Sequence, residues 1–97
     1  MPEMTFHVQW PDGSTERCYS PSLVVREHLT TGTSYELDDF VRRSRTALQI
    51  ASERVRERYG FACTSAAAQI AHIERAAARF TSHERPRVLV EGFDELG

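Results

Sequence analysis

The chain has 97 residues, of which 40% are hydrophobic and 27% charged, with a formal net charge of −2. That length fills one domain, residues 1–97, and excludes a large multi-layer enzyme core; the composition is that of a folded chain rather than a disordered tail. The slight acidic balance gives no reason to expect nucleic acid or an anionic membrane as a partner. All twelve basic residues are arginine, which excludes a lysine Schiff base or a lysine phosphate clamp within this chain.

Met4 to Trp10 alternates apolar and polar residues, the period of a half-buried strand. Pro11-Asp12-Gly13 follows, with a fixed φ, an acid suited to the next position and a glycine for a left-handed bulge. A three-residue loop of this kind sets Trp10 opposite Ser14, Val8 opposite Glu16 and Phe6 opposite Cys18. Cys18 then shares the apolar face of the hairpin and reads as a small buried hydrophobe before a reactive thiol. Ser20 as cap and Pro21 in the first turn predict a short helix over 23–29, although Val24 and Val25 leave a strand open. Thr30 to Ser34 is turn material that ends it.

The strongest pattern runs from Leu37 to Tyr59. Tyr35 and Phe40 are spaced as a hydrophobic staple around a cap at Glu36, and Asp38 and Asp39 fall where the helix dipole favours negative charge. Leu37, Phe40, Val41, Ser44, Leu48, Ala51, Val55 and Tyr59 recur at spacings of three and four, and Gly60 stops the run. The pattern predicts an amphipathic helix of about six turns. Ile50 points about 130° away from that stripe and marks a protein-contact face if nothing in the chain covers it.

A second helix is predicted over 64–80, with Ala66, Ile70, Ile73, Ala77 and Phe80 as its core stripe. Ala67, Ala71 and Ala78 form a smaller flank that permits close approach of another helix, either the long helix of this chain or one from a partner. Arg87 to Glu91 reads as a last strand, which must return to the hairpin because a two-stranded sheet is marginal. The expected fold is therefore α+β. A small antiparallel or mixed sheet, made of the hairpin plus the C-terminal strand, is packed on one face by two long helices and one short one.

Few chemical constellations survive this reading. His7, Cys18, His28, Cys63, His72 and His83 lack any standard zinc spacing, so no metal site is expected. Neither GxxxxGK[ST] nor GxGxxG occurs, and no nucleotide or other cofactor is implied. No catalytic residue is expected. Cys63 stands at the expected start of the second helix, where unpaired N–H groups favour thiolate, but no base or oxyanion hole is apparent. The residue reads first as a half-buried cysteine closing the helix-helix turn and second as a nucleophile. Cys18 is the second candidate. The arginines of the long helix alternate with Glu53 and Glu57 as a solvated face does. No signal peptide or membrane span is expected, and a cytoplasmic location with reduced thiols follows.

Four strings carry a resemblance: Val8-Gln9-Trp10-Pro11-Asp12-Gly13, Cys18-Tyr19-Ser20-Pro21-Ser22, Ala51-Ser52-Glu53-Arg54-Val55-Arg56, and Arg58-Tyr59-Gly60-Phe61-Ala62-Cys63. Together they resemble a family of small bacterial nitrogen-starvation response proteins, over about residues 4–80. The resemblance implies a cytoplasmic accessory protein encoded beside a nitrilase, a radical-SAM protein, an acetyltransferase-like protein and a flavoprotein, in nitrile or cyanide nitrogen use. It supplies no catalytic residues. The combined reading is a non-enzymatic interaction domain that binds a protein from such a cluster, or itself as a homodimer, through Ile50 and the flank Ala67, Ala71 and Ala78. The alternatives are a thiol-dependent enzyme or carrier using Cys63, and a small-ligand sensor with a pocket between helices and sheet.

Overall fold

The computed structural model describes residues 2–61 and 64–96. Strands β1 (Met4–Gln9) and β2 (Thr15–Ser20) form the expected hairpin, pairing Phe6 with Cys18 and Val8 with Glu16. The Trp10 amide donates to Ser14 O at 2.8 Å, and Gly13 takes the left-handed φ of +89° that the loop requires. β1 buries Met4, Phe6 and Val8 on one face and leaves Thr5, His7 and Gln9 half-buried on the other.

After the hairpin comes a 3-10 helix, Leu23–Glu27, whose cap is Ser22 and not Ser20. Ser20 is fully buried and donates its hydroxyl to Ser22 O at 2.7 Å, so it braces the turn one step before the cap. The valines crowd χ1 and favour a short, tight turn over a regular α-helix. Residues 34–36, expected partly as turn and partly as helix entry, form a short strand β3 (Ser34–Glu36). It pairs with β4 (Arg87–Glu95), setting Tyr35 against Val88. β4 is four residues longer than expected, and its pairing with β1 is offset by a bulge between His7 and Val8. The sheet is antiparallel throughout, in the order β2-β1-β4-β3.

Helix α1 spans Leu37–Tyr59 as predicted, and Gly60 closes it at φ +83° with its amide on Arg56 O at 2.8 Å. Its first amide, Leu37 N–H, donates to Pro86 O at 3.0 Å, which fastens the helix start to the loop before β4. Helix α2 spans Thr64–Ala78 and turns tightly into Phe80, which stays buried. Trp10 joins the layers: its ring stacks on Phe80 with centroids 6.0 Å apart and meets Phe40 edge-on at 5.6 Å. Phe6, Phe40, Leu48, Ile73, Val88 and Val90 pack into the same cluster, each burial stabilising by about 1.5–3 kcal/mol before chain entropy is counted.

One part of the stripe departs from expectation. The buried residues of α1 stop at Ala51; Val55 is half-buried and Tyr59 is 53% exposed. Val55 keeps partial cover and Arg54 still reaches Ser22, but every residue from Arg56 to Tyr59 is exposed, so the last turn of α1 projects from the core.

Candidate functional site

The α1–α2 pair is the first place to look, because it carries all four residues expected to meet a partner. Arg45 of α1 and Glu74 of α2 form an ion pair across the two helices and set their register. Ala67, Ala71, Glu74 and Ala78 recur at spacings of four, three and four, so the alanines lie on the Glu74 face, along the outer groove between the helices. Ala78 lines that groove with Leu37, Val41, Arg45 and Thr81. Ala67 and Ala78 are exposed and Ala71 half-buried, so α1 does not cover the whole flank.

Ile50 sits elsewhere. Arg43, Ile50 and Arg54 share one face of α1, and both arginines reach the 3-10 turn: Arg43 Nη1 donates to His28 O at 3.2 Å and Arg54 Nη1 to Ser22 Oγ at 3.3 Å. Ile50 is 36% exposed on this flank, away from α2. The structure thus does not unite Ile50 with the alanines in one patch.

The projecting end of the pair bears a feature the helical periodicity concealed. Tyr59 and Phe61, 53% and 67% exposed, have ring centroids 6.4 Å apart. The Arg58 guanidinium lies 5.8 Å from the Tyr59 centroid, and Arg54 and Arg56 are exposed behind it. Cys63, the first nucleophile candidate, lies outside the described residues. Cys18 is fully buried beneath the sheet, where burial, with a smaller contribution from Glu16, pushes its thiol up to about 12. It is a protonated core side chain at neutral pH.

A second constellation occupies the seam between β2 and α2. Glu16 faces the core side of the sheet, and Trp10 Nε1–H donates to its Oε1 at 2.7 Å. Its other oxygen, Oε2, meets His72 Nε2 of α2. One turn away, Gln69 Oε1 accepts the Tyr19 amide at 2.8 Å, filling one outward-facing position on the edge strand. Among the described residues no group of three or more His, Cys, Asp or Glu converges as a metal site would require.

A family model, nitrogen starvation-induced protein NitG, matches residues 5–93. The chain belongs to this family. The match runs from β1 into β4 and so takes in every element of the fold. No curated protein and no solved structure matches the chain. No helix among the described residues is long and apolar enough to cross a membrane.

Two groups of residues escaped the sequence reading of this family member. Tyr59 fits the core stripe by spacing, yet it falls in the exposed last turn of α1. Glu16 was legible as facing the core side, opposite Val8, but its partner His72 lies 56 residues further along the chain. No local pattern joins them.

Proposed function

We propose that the chain is a non-enzymatic accessory protein of the nitrogen-starvation response that docks another protein through the projecting α1–α2 pair. The observation that supports this reading is the exposure of Tyr59 and Phe61 beyond the edge of the core. Large aromatics are enriched in the buried centres of interfaces, where they add contact area with few rotamers to freeze. The neighbouring arginines are the other residue type that such surfaces favour. Ala67 and Ala71, exposed or half-buried towards the same end of the pair, leave room for a partner helix to approach; Ile50 and Ala78 extend the contact along the two flanks. The partner belongs to the nitrile- or cyanide-utilisation proteins encoded beside the chain, with a second copy of the chain as the competing occupant.

Co-purification tests the reading. The tagged chain is expressed with its neighbouring gene products, beside a Tyr59→Ser/Phe61→Ser variant whose far-UV circular dichroism matches the parent. Retention of a neighbour by the parent and its loss from the variant is the expected result. Light scattering separates the second-copy case, in which the parent alone is a dimer. A parent that is monomeric and retains no neighbour, or a variant that retains one equally, overturns the reading.

A further inference from the structure

We propose that the cleft between β2 and α2 binds a small molecule through an oxyanion, a carboxylate or phosphate group, held by Arg75, Arg79 and His72. His72 and Arg75 stand one turn apart on α2, Arg79 follows in the turn just after the helix, and with Glu16 and Ala76 the three line a cleft of about 300 Å3. Arg75 and Arg79, four residues apart on the same side of the chain, carry like charges and repel each other. Neither arginine has a carboxylate within ion-pair distance among the described residues, unlike Arg26, Arg42, Arg43 and Arg45. An arriving anion would relieve that repulsion.

Glu16 does not take the anion's place. Oε1 takes the Trp10 indole N–H and Oε2 meets His72 Nε2, so the carboxylate is directed at these two side chains and not at Arg75 or Arg79. It orients the imidazole as an outer carboxylate orients a binding histidine. Arg79 is also held in place: its guanidinium lies 5.3 Å from the Phe80 centroid and its Nε donates to Ala76 O at 3.5 Å. The planar end of a guanidinium fits a carboxylate or phosphate in two-point contact. His72 remains 47% exposed, which leaves the cleft open to solvent-borne ligands.

This site is separate from the docking end of the helices and stands or falls by itself. The test is a titration of the full chain with inorganic phosphate and, separately, with succinate, at ionic strength held constant with sodium chloride. The readouts are the Trp10 indole N–H and the arginine Nε–H resonances. Saturable shifts are expected for at least one probe, with the indole responding because Glu16 links it to His72. Saturation by phosphate alone assigns a phosphate-bearing ligand, and by succinate alone a carboxylate. Arg75→Gln and Arg79→Gln should each weaken binding about tenfold or more, the loss of one charged contact, whereas Arg17→Gln on β2 should not change it. Shifts that never saturate, or affinity unchanged in both the Arg75 and the Arg79 variant, overturn the proposal.

Discussion

Trp10 donates its indole N–H to Glu16 across the hairpin at 2.7 Å while its ring stacks on Phe80 at the end of α2. One side chain thus ties the first turn of the chain to the last turn of the helical layer. Trp10→Phe keeps an aromatic ring in the cluster but removes the donor to a carboxylate, and should cost about 2 kcal/mol in urea unfolding followed by circular dichroism. Trp10→Ala adds a cavity and should cost about 3–5 kcal/mol. Equal stability for Trp10→Phe would mean that the Glu16 bond contributes nothing.

Gly60 offers a test of the helix end. A Cβ there would meet nothing within 4 Å, so any penalty comes from φ +83° alone. Gly60→Ala should cost about 1 kcal/mol, and Gly60→Asn less, because asparagine tolerates the left-handed region better. Thermal unfolding of the two variants checks the order.

Cys18 sets an expectation for pH. Its folded-state value of about 12 lies above that of an exposed thiol at about 8.5, so the fold favours the protonated form. The contribution is fully present below the unfolded value and is lost as pH rises through the interval from about 9 to 12. In a Cys63→Ser background, urea midpoints should fall across that interval, and Cys18→Ala should flatten part of the decline. The same background should resist thiol labelling at neutral pH until the protein unfolds.

Much of the architecture could be read from local pattern. The hairpin register followed from one loop, and α1 from its staple, its acidic first turn and Gly60. β3 was not legible: three residues carry no period, and Tyr35 is equally suited to a staple and to a strand. What makes it a strand is β4, more than fifty residues later. The tip was misread for a related reason. Spacing places Tyr59 on the apolar stripe, but burial depends on what lies opposite, and the last turn of α1 is exposed. The seam at Glu16 and His72 was hidden for the same reason, since contacts of that separation have no signature in either segment.

Gln69 should act as an edge guard. Its side-chain oxygen takes the Tyr19 amide at 2.8 Å, where an approaching strand would otherwise bond. Gln69→Ala should cost about 1 kcal/mol, because the amide exchanges one partner for water, and should raise self-association at high concentration. Sedimentation velocity over a concentration series measures the second effect; identical profiles would remove the guard role.

Docking as proposed requires Phe61 and Tyr59 to meet a partner. The most direct measurement is the Kd of the protein that co-purifies with the chain, for the parent and for Phe61→Ser. A central aromatic anchor is worth about 2 kcal/mol, so the variant should bind about thirtyfold more weakly with its fold intact. Equal affinity for parent and variant would contradict the account.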